Sequence, residues 1–300
     1  MLSLLYGTIA AAALSGALVS CGSGESGEGG DETATVLRFT AIPDHESTEL
    51  EAKFQPVAAF LSEQLGVPVE YVPTADYSAS VEMFRNGDVH LAWFGGLSGV
   101  QARAAVDGSR AVAQGVLDPD FKTYFIVNES VNIEKSDSFP MELKGLSFTF
   151  GSPKSTSGRL MPEYFITQET GMTPNEFFGT ENQFSGSHDK TAKLVEAGTY
   201  QAGAVNFKTY DSMVAEGKLD PEKCKIVWIT PGYADYNWTV HPEVEGTYGA
   251  GFMDKVQGAL LDMKDPELLK AVKREEGLIP ATNEDFESIA KLAAELGFLN

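Results

Sequence analysis

The sequence predicts an α/β protein of two lobes, each a mainly parallel sheet flanked by helices, facing each other across a cleft. Two observations carry that expectation. From residue 36 onward, short β-branched or apolar runs alternate with helical patterns at short loop lengths, the mark of βαβ units. An aromatic, β-branched run at 122–128 leaves the first block, the alternation then repeats, and a second aromatic stretch at 231–242 is placed to cross back. Two lobes joined by two extended crossings leave a cleft where strand ends and helix starts face each other.

Taken in order, 36–42 reads as a strand. Leu50, Phe54, Val57, Leu61 and Leu65 then recur at helical spacing behind a capping-box pattern at 48–51, and Pro56 is expected to kink that run. Strands follow at 67–72, 89–94 and 111–116, separated by helices at 76–85 and from Ser98 through Ala105. The second block holds strands at 146–150, 202–205 and 225–230 and helices at 159–168, 187–196 and 208–216. Three amphipathic helices, near 252–263, 266–274 and 285–296, end the chain. The expected organisation is 36–121 plus 240–300 for lobe 1 and 122–239 for lobe 2.

The chain carries 22 Lys and Arg against 43 Asp and Glu, a net charge of -21. With no basic stripe to release counterions, nucleic acid is excluded as a partner. A small anion is not, because local donors act at about 3 Å while the global field is screened beyond roughly 8–10 Å.

Residues 1–21 are apolar and small, about the length of a secretory signal. They end in Leu18-Val19-Ser20-Cys21-Gly22, which resembles a bacterial lipobox, although no Lys or Arg precedes Cys21. The expectation is a lipid-bearing Cys21 and an extracytoplasmic, membrane-anchored protein. Residues 22–35, rich in Gly, Ser and acid at their start, read as a flexible tether. A literal G-x-G-x-x-G at 22–27 lacks the strand and helix a dinucleotide site requires. With Cys21 lipidated, Cys224 has no disulfide partner.

The segment 151–158, Gly-Ser-Pro-Lys-Ser-Thr-Ser-Gly, joins a strand to a helix. Its backbone N–H groups sit at the positive end of a helix dipole, and Ser155, Thr156 and Ser157 add hydroxyl donors. The pattern fits an anion site and equally an ordinary helix cap. No His, Cys, Asp and Glu grouping has metal-ligand spacing, so neither a metal nor a cofactor is expected.

Five pieces taken together resemble the phosphate/phosphite/phosphonate-binding family of periplasmic substrate-binding proteins, which serve ABC importers. They are Asp76-Tyr77, the run 88–96 (Asp-Val-His-Leu-Ala-Trp-Phe-Gly-Gly), the loop 151–158, Gly186-Ser187-His188-Asp189, and Ala202-Gly203-Ala204-Val205-Asn206. The similarity covers residues 36–300. It implies a type II periplasmic-binding-protein fold closing on a tetrahedral oxyanion, with an ABC permease and its ATPase as partners. It also implies that Ser155, Thr156 and Ser157 grip the anion, that His188 approaches it, and that Tyr77 and Tyr236 line the site. Asn206 stands where phosphonate binders often carry an acid, which argues against aminoalkylphosphonates, because an amide is a poor partner for an ammonium. The segments 93–96 and 235–238 also look like a selenate-type branch of the family, the alternative ligand.

An enzyme on this fold, or a solute sensor, are the competing classes. The chain has no G-x-S-x-G elbow and no G-x-x-x-x-G-K-[ST] loop, and Cys224 has no histidine near it in sequence. The expectation is a binder, not an enzyme.

Overall fold

The computed structural model describes residues 35–45 and 47–299, and, within these, the side chains of all but 47–49. The leader 1–21 with Cys21, nearly all of the tether, and the side chain of Thr48 in the expected capping box lie outside the described residues. In lobe 1, β1 (Leu37–Ala41), α1 (Ser47–Leu65), β2 (Val69–Tyr71), α2 (Tyr77–Arg85), β3 (Leu91–Phe94), α3 (Gly96–Ala105) and β4 (Arg110–Gly115) follow one another. Lobe 2 contains β5 (Thr123–Asn128), β6 (Phe148–Phe150), α4 (Met161–Thr170), α5 (Pro174–Phe178), β7 (Gln183–Phe184), α6 (His188–Glu196), β8 (Ala202–Asn206), α7 (Phe207–Ala215) and β9 (Cys224–Ile229). The chain returns to lobe 1 with β10 (Asn237–Val240), α8 (Glu243–Tyr248), α9 (Phe252–Leu261), α10 (Pro266–Ala271), β11 (Leu278–Pro280) and α11 (Glu287–Glu295).

The sheet orders are β11-β4-β10-β3-β1-β2 and β7-β6-β8-β5-β9. Each is mixed rather than mainly parallel, because a strand enters it reversed from a crossing, and in the first sheet β11 also runs antiparallel to β4. β10 enters the first sheet from the second crossing and runs antiparallel to β3 and β4, and β5 enters the second from the first crossing, antiparallel to β8 and β9. The expected lobe boundary at 239/240 therefore falls inside β10, whose four residues are buried in the first sheet. The two crossings pair with each other, Phe121 N donating to Tyr233 O at 2.8 Å and Tyr233 N to Phe121 O at 3.0 Å.

Helix α1 continues through Pro56. Proline removes one backbone hydrogen bond, but Leu50, Phe54, Val57, Leu61 and Leu65 are all buried along one side, and helices in proteins owe most of their stability to such packing. Phe54 stacks on Tyr71 with ring centroids 5.0 Å apart and also meets Phe39, Trp93 and Trp238, the aromatic centre of lobe 1. The helices α5 and α8 and the strands β7 and β11 were not anticipated. All are six residues or shorter, too brief for a periodic signal.

Candidate functional site

The loop 151–158 does not wait until Arg159 to become helical. Thr156–Leu160 forms a single π-helical turn, with Leu160 N donating to Ser155 O at 3.0 Å, and α4 continues it. Such turns are rare and recur at functional sites. Ser155 is the cap, its Oγ accepting from Gly158 N at 2.9 Å. The hydroxyl thus uses a lone pair for the cap and keeps its proton for another acceptor. Two glycines make the crossing possible. A Cβ on Gly158 would lie 3.0 Å from His188 Cε1 and 3.1 Å from Gly151 Cα, so a larger residue would have to push the imidazole or the facing backbone aside.

His188 opens α6 at the end of the next crossover. Its Nδ1 accepts from Asn206 N at 3.2 Å, so the neutral ring carries its proton on Nε2, which lies 3.4 Å from both Ser155 Oγ and Ser157 Oγ. Burial drives its pKa down to about 4, past the opposing pull of Asp44, and the ring stays neutral near pH 7. Asn206 ends β8 and caps α7, its Oδ1 accepting from Thr209 N at 2.7 Å. That bond fixes the amide, so Nδ2 points as a donor to Tyr236 Oη at 3.0 Å. Tyr77 opens α2 behind the Asp76 cap and is buried beside Ser155. The seven ligand-shell residues anticipated from the sequence, Tyr77, Ser155, Thr156, Ser157, His188, Asn206 and Tyr236, are each no more than 2 % exposed. They form one cluster between the two sheets, and the starts of α2, α3, α6 and α7 converge on it.

Lobe 1 and the second crossing supply a second set of groups that sequence reading missed. Asp44, after β1, takes the Tyr236 hydroxyl proton on Oδ2 at 3.2 Å and lies 3.6 Å from Lys273 Nζ, while its backbone carbonyl accepts from His188 N at 3.2 Å. Burial alone would raise the Asp44 pKa, but Lys273 and the neighbouring basic groups outweigh it and hold it at about 2. Lys273 also contacts His45 Nε2. Asp235 has the opposite fate. Burial pushes its pKa up to about 7, although its Oδ1 accepts from Gly96 N at 2.8 Å and the hydroxyls of Thr156 and Ser157 lie close enough to favour the ionised form. One oxygen each of Asp44 and Asp235 is buried without a well-aligned donor. Thr156 Oγ1 accepts from Leu97 N at 2.9 Å and joins the two lobes directly.

Tyr236 is held by its ring as well, stacked on Trp93 at 4.7 Å with the Arg274 guanidinium 4.6 Å from its centroid. Its hydroxyl is engaged on both sides, so it braces the cluster between Asn206 and Asp44. No local pattern marks Asp44, His45, Lys273 or Arg274, because each is a single charged residue whose burial is set by contacts far away in sequence. Lys122 is half-buried and pairs with Asp120 at 3.4 Å. His90 and His241 accept backbone N–H bonds from Arg38 and Glu243, outside the cluster. A cavity of about 460 Å³ bounded by His45, Lys53, Asp189, Lys193 and Lys218 opens at the seam of the lobes. Among the described residues no group of His, Cys, Asp and Glu could hold a metal, and no helix is long and apolar enough to cross a membrane.

Residues 39–286 match the family model of the phosphonate ABC transporter periplasmic substrate-binding protein. A probable ABC transporter phosphite binding protein, PhnD1 of Prochlorococcus marinus, is 37% identical over 267 residues, covering 87% of this chain and 90% of that protein. The solved structure of Prochlorococcus marinus PhnD1 in complex with methylphosphonate superposes with a TM-score of 0.81 at 36% identity, covering 87% of this chain and 98% of that one. A binding protein component of an ABC phosphonate transporter from Pseudomonas aeruginosa shares the fold, with a TM-score of 0.73 at 19% identity over 86% of this chain and 85% of its own. The chain belongs to the phosphonate family of periplasmic substrate-binding proteins of ABC transporters, on a type II two-lobed fold.

Proposed function

We propose that this chain captures a tetrahedral phosphorus oxyanion that carries a proton, phosphite or a small phosphonate such as methylphosphonate, between its lobes. It then presents the ligand to an ABC permease and its ATPase. The observation that carries the reading is the pairing of a neutral donor wall with buried carboxyls. Ser155, Ser157 and His188 Nε2 offer protons to oxyanion oxygens, while Asp44 and Asp235 each keep a buried oxygen that lacks a well-aligned donor. A ligand hydroxyl can supply such a donor, whereas a fully ionised sulfate or selenate cannot, and buried acceptors left unpaired are costly. The names of the Prochlorococcus relatives, phosphite-binding in one comparison and methylphosphonate-bound in the other, point the same way. Asn206 spends its acceptor on the α7 cap and presents a donor, which disfavours an aminoalkyl group.

The ligand leaves unchanged. Cys224, the free thiol among the described residues, is buried, and burial raises its pKa to about 12, which removes it as a nucleophile. Phosphorus NMR of methylphosphonate incubated with the protein is expected to show one unaltered species. Anchoring through lipidated Cys21 completes the proposal, and incorporation of labelled palmitate that Cys21→Ala abolishes would support it.

Calorimetry with phosphite, methylphosphonate, phosphate, sulfate and selenate tests the ligand. Phosphite or methylphosphonate is expected to bind at least about tenfold tighter than sulfate and selenate, the loss that one unpaired buried group imposes. Selenate binding as tightly as phosphite would move the assignment to the selenate alternative. Failure of all five to bind tighter than about 1 mM would remove the oxyanion reading.

A further inference from the structure

One stretch of four residues, Lys273-Arg274-Glu275-Glu276, meets the ligand wall, the hinge and the opposite lobe in turn. It begins at the end of α10, where Lys273 N donates to Lys270 O at 3.0 Å and Arg274 N to Leu269 O at 2.8 Å. That is a Schellman motif, and Lys273 holds its left-handed position at φ 54. Glycine is the usual occupant, and Lys273 is the one non-glycine residue with positive φ among those described. A strained backbone at a buried lysine is the observation that first sets the segment apart.

From there Lys273 reaches Asp44 and His45 at the ligand wall. Arg274 grips the first crossing, Nε donating to Asp118 Oδ2 at 2.8 Å with Nη2 2.7 Å from Oδ1, and both side chains are buried. Its guanidinium lies 4.6 Å from the Tyr236 ring of the second crossing and 5.7 Å from that of Phe121 in the first. Asp118 O accepts from Asp235 N at 3.1 Å, so one arginine braces both hinge strands. Gly115 makes room for it, since a Cβ there would lie 2.2 Å from Arg274 Cδ. Glu276 and Glu275 then receive Lys208 of lobe 2, with Nζ 2.7 and 3.0 Å from the Glu276 oxygens and 3.5 Å from Glu275 Oε2. Lys208 belongs to α7, the helix that Asn206 caps, and its side chain is only 17% exposed.

We propose that Lys273–Glu276 is the closure latch of the two lobes: Arg274 positions the hinge, Lys273 registers the state of the ligand wall, and Glu275 and Glu276 hold lobe 2 through Lys208. The ligand arm of the test rests on the oxyanion reading above, whereas the latch itself does not. Opening the cleft separates Lys208 from the two glutamates, so their attraction counts only toward the closed form, and a ligand that favours closure gains from it. An ion pair of this exposure is modest and screened by salt.

The test uses Lys208→Gln, the double change Glu275→Gln with Glu276→Gln, and the charge exchange Lys208→Glu with Glu276→Lys. Two labels, one on each lobe, report the lobe separation, and methylphosphonate is the ligand probe. Without ligand, the first two variants are expected to shift toward wider separation. With it, the dissociation rate should rise about twofold to fivefold while the association rate stays near wild type. The exchange should recover most of the loss, and 0.5 M salt should erase the difference between wild type and the glutamine variants. A merely structural lysine would not be rescued by reversing both charges. Unchanged separation and unchanged dissociation in both neutralised variants would overturn the latch. If methylphosphonate fails to bind any of these proteins while the separation still shifts, the ligand reading fails and the latch stands.

Discussion

The two walls of the cleft are built on different chemistry. Lobe 2 contributes Ser155, Ser157, His188 and Asn206, all neutral, all at a helix start and all offering protons. Facing it, Asp44 of lobe 1 and Asp235 of the second crossing are buried carboxyls, with Lys273 and Arg274 behind them. A wall of donors accepts any tetrahedral oxyanion, because every such oxygen is an acceptor. A wall of acids senses the protons that remain on the ligand. The function proposed above places selectivity with these acids and basal affinity with the neutral donors.

The largest blow to that division is the double change Ser155→Ala with Ser157→Ala. It removes two donors to a charged ligand, each worth about 1.5–3 kcal/mol, and should weaken phosphite at least on the order of a hundredfold. Sulfate should weaken in proportion, since the donor wall does not discriminate, and calorimetry of both ions checks it. A loss for phosphite alone would place selectivity in lobe 2 after all. Loss of the Ser155 cap costs about 1 kcal/mol of stability, which a denaturation control separates from the binding loss.

Asn206→Asp moves an acid across to the donor wall. The carboxylate can still cap α7, but it faces the Tyr236 hydroxyl that Asp44 already holds. Lost donation and added repulsion should weaken phosphite on the order of thirtyfold, about 2 kcal/mol, at pH 8. The loss should shrink at pH 5, where the buried carboxyl regains a proton to donate. Equal loss at both pH values would mean that the charge of the new carboxylate is not what weakens binding.

The same division decides what the sequence could reveal. Donor residues at helix starts leave a local trace: small hydroxyl residues between a strand and a helix, Ser187-His188 opening a helical pattern, Asn206 closing a strand. Each was legible, and so was the alternation that builds both sheets. Residues 155–157 were readable as cap and anion site at once, and the Ser155 hydroxyl has capacity for both. The acids left no such trace. Asp44 and Lys273 stand 229 positions apart and meet only because α10 packs against α1. The reversed direction of β10 and β5 was hidden for a related reason, since a crossing segment has the composition of a strand but its direction is set by topology.

The subtlest test sets one buried titrating group from each side of the cleft against the other, because their opposed slopes largely cancel in the wild type. Asp235 has its pKa raised from an ordinary carboxylate value to about 7, burial being the main cause, and His188 has its pKa lowered to about 4, again chiefly by burial. Between about pH 4 and 7 the folded chain holds a proton at Asp235 that the unfolded chain has lost, so this group's stabilisation fades as pH rises. Between about pH 4 and 6.5 the unfolded chain holds a proton at His188 that the folded chain refuses, so stability from this group grows as pH rises. Each slope is at most about 1.4 kcal/mol per pH unit, and over the shared window they oppose each other. Asp235→Asn should therefore tilt stability upward with pH relative to wild type, and His188→Gln should tilt it downward. Urea denaturation at pH 4.5, 5.5 and 6.5 reads both. Variants that keep the wild-type slope would mean that the two walls do not hold their protons as burial dictates, and a tilt in only one of them would show which wall does.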